Sequence, residues 1–399
     1  MNTFRKIVSF ALSVFMIFGS VAILSSCGKG TEDWPVDEAS GLTELLIGGI
    51  GPTTGDYSNY GISVKKGAQL AVDEINAAGG VNGFKLVLNF QDSAANPESA
   101  VSAYGNLMDA GMKVSLGAVL SGETASVVAA AKEDGILILT PSASSESAIA
   151  GNDNAFRVCF SDPYQGIAAA QYVADYNLAT KVAVFYGSDN DYCVGLYENF
   201  KNKCAELNIE IVTVQTFTNS TNTDFSTQIN AIRDSGAELV FMPIYAAEAA
   251  SFLTQAKKTN ALDGIRCFGC DGLDGLLTKI DNAEDANGVL MLTPFTADSP
   301  EENVSAFVAN YKKNYNNEVP DQFAADGYDA VYAIAEALKN ANITSSDKDN
   351  FNTRIVGAMT KITVNGLTGS MKWTADGEIS KAAKLMEFEN GVVVNYAEK

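Results

Sequence analysis

From Glu44 onward, short apolar runs alternate with segments of helical spacing. This alternation limits the folds open to the chain more than any other feature. "ELLIGGIGP" is a short apolar run that ends in Gly-Pro, the pattern of a buried parallel strand. "SVKKGAQLAVDEINAAGG" places Val64, Leu70, Ala71 and Ile75 at helical spacing and stops at Gly79-Gly80, a C-terminal helix signal. "FKLVLNFQD" is the next strand, and "NPESAVSAYGNLMDAG" is a helix with Pro97 in its first turn. "VSLGAVLS", "TASVVAAAKEDG" and "ILILTPSAS" continue as strand, helix and strand. Alternation of this kind, with right-handed crossovers, builds a doubly wound parallel sheet. The pattern then restarts. "YQGIAAAQYVADYN" is a helix, "KVAVFYGSD" a strand, "VGLYENFKNKCAELN" a helix and "IEIVTVQTF" a strand. "FSTQINAIRDSG", "AELVFMPIY", "AEAASFLTQAKKTN" and "GIRCFGC" follow in the same order. About 370 residues follow Cys27, more than one hydrophobic core usually holds. The expected fold class is therefore α/β, with two doubly wound parallel-sheet lobes of comparable size. The halves share no close sequence repeat, so any likeness between them is architectural.

Ahead of this region stands "MNTFRKIVSFALSVFMIFGSVAILSSCGKG". Arg5 and Lys6 precede a nearly uncharged run from Ile7 to Ser26. The run is long enough to span a bilayer, and it also has the basic and apolar regions of a secretory signal. Leu24-Ser25-Ser26-Cys27 resembles the bacterial lipobox, in which the cysteine is lipidated and becomes the new N-terminus. Four consecutive positions fit, so residues 1–26 are read as a lipoprotein signal peptide, Cys27 as the lipidation site and residues 27–43 as a tether. The competing reading is an uncleaved helix with an incidental Cys27. Two or three acyl chains, as bacterial lipoproteins carry, give a stable membrane anchor where a single chain does not.

The formal charge is −21. Loss of Arg5 and Lys6 makes the processed chain more acidic still. Such a surface repels phosphate backbones, and no Lys/Arg cluster opposes it, so nucleic acid is excluded as a partner. Histidine is absent, which removes Ser-His-Asp and Cys-His catalysis and every His-based metal site. There is no GxSxG motif and no clear carboxylate pair. No enzyme activity, metal or cofactor is expected. Cys159, Cys193, Cys204, Cys267 and Cys270 are an odd set that cannot all pair within one chain. Cys267-Phe-Gly-Cys270 has CxxC spacing, but no second CxxC exists, and buried free thiols are the expectation.

In open α/β sheets, ligands bind at the carboxyl ends of the strands. The loops there read Gly51–Gly61 (GPTTGDYSNYG), Ser121–Ser126 (SGETAS), Pro141–Ser145 (PSASS), Ser188–Cys193 (SDNDYC), Tyr245 and Asp271-Gly272. The loops of the first half are rich in hydroxyls, and two of them open helices. Hydroxyls with free backbone N–H groups suit a carboxylate. The second half offers two tyrosines and one acid, which suit an ammonium. Together they describe an α-amino acid held between two lobes. Each loop alone is also an ordinary turn or helix cap; the argument rests on six of them in order.

From about Glu44 to the end, the chain resembles the leucine/isoleucine/valine-binding family of type I periplasmic binding proteins, the solute receptors of ABC importers. The matching motifs are "GPTTGDYSNYG…GAQLAVDEINAAGGVNG", "SGETAS", "GILILTPSAS", "DNDYCVGLYENF", "TDFSTQINAIRDSGAELVF", "FGCDG" and "FAADGYDAVYAIAEAL". The resemblance implies that Ser121, Ser142 and Ser144 grip the ligand carboxylate and that Asp271 pairs with its ammonium. Relatives often carry Glu at the position of Asp271, which is one methylene shorter. It implies that Tyr192 and Tyr245 close over the ligand and that Tyr60 lines the side-chain pocket. Glu123, beside Ser121, is read as a solvated helix-start acid. A disulfide found in some relatives between the loops "DSAANP" and "VLSGE" is absent. The family's three crossings between lobes fall near Ser161, Pro294 and Gly369, giving an N-terminal lobe of 44–161 plus 295–368 and a C-terminal lobe of 162–294 plus 369–399. The expected function is a lipid-anchored, extracytoplasmic, monomeric amino-acid receptor for an ABC importer permease, closing by a hinge on a branched-chain or other apolar amino acid. The alternatives are the same fold binding an amide, urea-like compound or carboxylate, or a ligand sensor.

Overall fold

The structure, a computed structural model, describes residues 34–396. The signal peptide, Cys27 and the first part of the tether lie outside the described residues. In the first half, strands β1 (Thr43–Gly51), β2 (Phe84–Asp92), β3 (Val114–Gly117), β4 (Leu137–Thr140) and β5 (Ala155–Arg157) alternate with helices α1 (Ser58–Ala77), α2 (Pro97–Asp109) and α3 (Ser121–Ala130). The strands form one parallel sheet in the order β2-β1-β3-β4-β5, with β1 and β2 in register from Thr43 against Phe84 to Gly51 against Asp92. Within the stretch read as tether, the part from Pro35 folds against this sheet. Glu44 N–H donates to the Pro35 carbonyl at 2.7 Å, and Lys85 pairs with Asp37 at 2.6 Å.

The chain then continues through α4 (Asp162–Asp175), β6 (Lys181–Gly187), α5 (Asp191–Leu207), β7 (Glu210–Phe217), α6 (Ser226–Asp234), β8 (Leu239–Phe241), α7 (Ala246–Thr259), β9 (Arg266–Phe268) and β10 (Leu290–Thr293). Three helices follow, α8 (Glu302–Asn314), α9 (Gln322–Asn340) and α10 (Phe351–Met359). The short strands β11 (Val364–Gly366) and β12 (Gly369–Met371) form a separate ribbon, and β13 (Lys384–Glu389) and β14 (Val392–Asn395) complete the second sheet. Its order is β14-β13-β10-β9-β8-β6-β7. The molecule is thus two α/β lobes, as the alternating pattern predicts.

One sheet is not purely parallel. β13 runs antiparallel to β10, and β14 antiparallel to β13. Asn390-Gly391, with φ of 52° and 79°, form the two-residue turn that reverses the chain between β13 and β14 and pairs Glu389 with Val392. α9, which comes late in the chain, returns to the first half and packs on α1. Gly67 and Gly327 permit that crossing. A Cβ on Gly67 would run into the Ala324 carbonyl, and one on Gly327 into that of Val64. The second lobe is filled by stacked aromatics, with Phe185 over Phe252 at 4.5 Å and Phe200 over Phe241 at 3.8 Å.

Candidate functional site

The site is built where the strands of both sheets end. On the first lobe, β3 delivers Val119, Leu120 and Ser121, the last of these opening α3. β4 delivers the loop Pro141–Ser145. That loop is held rigidly. Thr140 Oγ1 donates to the Ala118 carbonyl at 2.7 Å and accepts from Ala143 N–H at 3.0 Å. Ser142 Oγ donates to the Val119 carbonyl at 2.8 Å, and Ser145 N–H donates to Ser121 Oγ at 3.2 Å. Behind it the fully buried Arg157 donates to the carbonyls of Ala143 at 3.1 Å and Ser145 at 2.9 Å. With those carbonyls turned toward Arg157, the loop is braced from below.

On the second lobe, Tyr192 stands in the first turn of α5, after the Asn190 cap, whose side chain accepts from Cys193 N–H. Its hydroxyl donates to Asp271 Oδ1 at 2.7 Å and accepts from Gly272 N–H at 2.8 Å. Tyr245 precedes α7 and stacks on Tyr192 at 4.8 Å. Asp271 follows β9, and its N–H donates to Gln165 Oε1 at 3.1 Å. Burial pushes the Asp271 carboxyl up to about 6, against the pull of the Tyr192 and Gln165 hydrogen bonds.

Tyr60, from the first turn of α1, crosses between the lobes. Its hydroxyl donates to the Gly272 carbonyl at 2.7 Å and accepts from Ala246 N–H at 2.8 Å. Tyr60, Ser121, Ser142, Ser144, Tyr192, Tyr245 and Asp271 therefore all line one cavity, with Val119, Leu120, Gly272 and Phe323 completing its wall. The space between them is ≈10 Å³, about the volume that one water centre occupies. A larger groove of ≈320 Å³ lies by the starts of β9 and β10, lined in part by Lys257 and Arg266. It is at the wrong end of the strands for the ligand chemistry of this sheet architecture.

Several site residues were not among the sequence-predicted ones. Phe323 meets Tyr60 edge to face at 4.8 Å. Tyr57, three residues before Tyr60 in the same loop, donates to Glu248 Oε1 at 2.5 Å across the cleft. Asn222 donates to that same oxygen at 3.3 Å. Gln322 N–H donates to Asp274 Oδ2 at 2.8 Å. The one available signal was Tyr57 itself, a second aromatic in a loop already assigned to the cleft.

Glu123 corrects an expectation. It is buried, at 2% exposure, rather than solvated. Desolvation raises its carboxyl to about 7, with the Ser93 hydroxyl and the Leu120 backbone offsetting part of the rise. The β2–α2 loop packs over the start of α3, which a linear pattern does not reveal. All five described cysteines are free and buried. Among the described residues no group of His, Cys, Asp and Glu is arranged to hold a metal ion, and no helix is long and apolar enough to cross a membrane.

A family described as periplasmic binding protein matches residues 44–392. A Leu/Ile/Val-binding protein homolog 3 from Brucella melitensis is 31% identical over 77% of this chain and 82% of its own length. A leucine-, isoleucine-, valine-, threonine- and alanine-binding protein from Pseudomonas aeruginosa is 26% identical over 84% of this chain and 87% of its own. Among solved structures, the branched-chain amino acid transporter substrate binding protein LivJ from Streptococcus pneumoniae, in complex with isoleucine, superposes with a TM-score of 0.80 at 29% identity. It covers 88% of this chain and 98% of its own. A solute binding protein of an ABC transporter from R. palustris, in complex with benzoate, has a TM-score of 0.79 at 22% identity, over 88% of this chain and 95% of its own, and shares the fold.

Proposed function

The chain belongs to the periplasmic binding protein family, and from that membership we propose that it is the amino-acid receptor of an ABC importer, closing its two lobes over a branched-chain or similar apolar amino acid. One observation carries the reading. A hydroxyl-rich wall on the first lobe faces an acid flanked by two tyrosines on the second, all on one cavity.

The roles follow from the chemistry. Ser121, Ser142 and Ser144, with the backbone N–H groups of their loops, take the carboxylate. Asp271, oriented by Tyr192, takes the ammonium. Tyr60, Tyr245 and Phe323 enclose the side chain. Each charge-assisted hydrogen bond contributes ~1.5–3 kcal/mol net. Several of them reach micromolar binding, on the order of −8 kcal/mol, after the losses of association and closure.

The walls as they stand leave ≈10 Å³, so entry of an amino acid requires the lobes to part. Parting breaks the Tyr60 bonds to Gly272 and Ala246 and the Tyr57–Glu248 bond, and a ligand that touches both walls restores the closed state. The hinge lies at three crossings, near Ser161, Pro294 and Gly369, between lobes of 44–161 plus 295–368 and 162–294 plus 369–399. The closed monomer is what the permease recognises. Cys27 carries the lipid that holds the receptor on the extracytoplasmic face of the membrane.

A carboxylate, amide or urea-like ligand would leave Asp271 facing no cation, which favours the zwitterion. The test is calorimetry on the chain, unfolded and refolded to strip carried-over ligand, against the twenty amino acids. Binding of leucine, isoleucine or valine, lost when the amino group is acetylated, is the expected result. Binding of none of the twenty overturns the reading.

A further inference from the structure

Beyond the ligand cavity, the second lobe meets the first along a seam that runs from Asp271 to Lys279. Lys279 Nζ donates to the Asp56 carbonyl at 2.6 Å, and a Cβ on Gly275 would come within 3.1 Å of Asn59 Nδ2. Asp274 stands in the middle of this seam, half-buried, and does not line the cavity. Its Oδ2 accepts from Gln322 N–H at 2.8 Å and its Oδ1 from Gly275 N–H at 3.0 Å. Gln322 is the first residue of α9, which packs on α1 in the first half, so this bond crosses between the lobes. Asp321, the residue before it, caps the same helix. Its Oδ1 accepts from Ala324 N–H at 2.9 Å and its Oδ2 from Ser63 Oγ at 2.7 Å. Two carboxylates, one from each lobe, thus share the N-terminus of α9. Among the described residues no Lys or Arg forms an ion pair with either acid. Lys66 is taken by Glu318 at 2.5 Å, and Lys279 by the Asp56 carbonyl. A helix N-terminus favours negative charge, but two acids brought together without a cation oppose each other's ionisation. Asparagine at position 274 would accept from Gln322 N–H as well, so the hydrogen bond alone does not require an acid there.

We propose that Asp274 and Asp321 form a proton-dependent latch between the lobes, so that closure over the ligand takes up a proton and acid favours the closed receptor. The inference rests on the hinge-closing, amino-acid reading above and deepens it by giving that receptor a regulator. Parting the lobes carries Asp274 away from α9 and into water, where an aspartate is ionised at any pH above about 4. Closing sets it against Asp321. Loss of water then lifts the Asp274 carboxyl to about 7, with the charge of Asp321 adding to the rise, the N–H groups of Gln322 and Gly275 opposing it and the charge of Asp271 adding least. Loss of water raises Asp321 as well. The hydrogen bonds from Ser63, Ala324 and Phe323 oppose that rise, and the charge of Glu318 adds to it. Tyr311, which faces Asp321 and Glu318, is pushed up and keeps its proton throughout this range. The sign follows from the direction of the shift. The closed state binds the proton more tightly than the open one, so it is fully favoured below about pH 4 and loses ground as pH rises. The loss is complete once pH has passed about 7. Asp271 titrates nearby with the opposite sign, because a ligand ammonium favours its ionised form, so the latch is read as a difference between wild type and variant.

The test measures leucine binding by calorimetry at pH 5 and pH 8 on the wild type, Asp274→Asn, Asp274→Ser and Asp321→Asn. The quantity read is the ratio of the affinity at pH 5 to that at pH 8. Both Asp274 variants should lower this ratio by about tenfold or more, chiefly by binding leucine more tightly at pH 8. Asp321→Asn keeps a helix cap, deletes the opposing charge and should lower the ratio in the same direction. Buffers of different ionisation enthalpy at pH 6 give a second readout, in which Asp274→Asn takes up roughly one proton fewer per leucine than the wild type. An acid that merely anchors the seam behaves differently. Its replacement weakens leucine alike at both pH values and leaves the proton count as it was. A ratio within twofold of the wild type in a folded Asp274 variant, an unchanged ratio in Asp321→Asn or an unchanged proton count overturns the latch and leaves the amino-acid reading intact. Binding of no amino acid by the wild type removes that reading and the latch with it.

Discussion

Tyr57 and Glu248 meet across the cleft, hydroxyl to carboxylate, at 2.5 Å. The two residues stand on opposite lobes, and neither lines the cavity. Tyr57 also packs on Tyr245 at 5.0 Å, so the bond ties the outer edge of the first lobe to the aromatic lid of the second. A contact made only when the lobes are together adds to the closed state and nothing to the open one. Tyr57→Phe keeps the ring and deletes the bond. It should weaken ligand binding by about 1–2 kcal/mol, roughly five- to thirtyfold, without altering which amino acid is preferred. Titration calorimetry reads both quantities. Unchanged affinity would mean that the bond has no part in closure.

Asp271 is held at a cost in stability. Its carboxyl rises from an ordinary 3.8 to about 6, chiefly through burial. Between those values the folded chain binds more protons than the unfolded one, so stability falls as pH rises through this window and levels off above it. A shift of two units corresponds to an order of 3 kcal/mol. Asp271→Asn should therefore raise the thermal midpoint of the ligand-stripped protein at pH 7.5, by an amount that shrinks toward zero near pH 4. The same variant should lose binding of the amino acid. A variant less stable than wild type at pH 7.5 would contradict the assigned burial penalty.

Sequence made the fold legible because a parallel strand buried on both faces writes itself as a continuous apolar run, as in "ELLIGGIG" and "KVAVFYG". The cavity residues were legible for a related reason. The carboxyl ends of the strands are where such sheets place ligands, so the loops that hold Ser121, Ser142, Ser144, Tyr192, Tyr245 and Asp271 could be picked out, and the family resemblance singled out those residues within them. What escaped needed a partner far along the chain. The bond from Tyr57 to Glu248 spans 191 positions, and Glu248 alone reads as an ordinary acid in the first turn of a helix. Glu123 and Asp162 read the same way, and only packing against Ser93 and Gly195 reveals them as buried. The antiparallel edge of the second sheet was legible, through the Asn390-Gly391 turn between two apolar runs, but a parallel reading of the whole chain passed over it.

The crossing of α1 and α9 admits no side chain at Gly67, where a Cβ would meet the Ala324 backbone. Backbone cannot rotate away as a side chain can, so Gly67→Ala must push the helices apart. Overpacking of this kind costs typically 1–3 kcal/mol, here at a contact with no flexible neighbour. The displaced helix carries Phe323 and Gln322, so the cleft shifts with it. The variant should melt earlier and bind the ligand more weakly. Gly105→Ala, at a helical glycine with open space around it, should be neutral or stabilising in the same assay.

The thiols give the last expectation. Cys159, Cys193, Cys204, Cys267 and Cys270 are all buried and unpaired with one another. Burial pushes Cys204 and Cys267 up to about 12, and the other three well above their usual range. The thiolate is the reactive form, and redox cysteines are marked by depressed values and exposure. Cys270 has in addition the negative charges of Asp271 and Asp162 acting on it, which oppose ionisation further. A thiol reagent at pH 8 should therefore modify none of the five in the native protein and all five after denaturation, and reductant should leave the thermal midpoint unchanged. Rapid native labelling of Cys267 or Cys270 would instead place a reactive CxxC beside the ligand acid and reopen redox chemistry at this site.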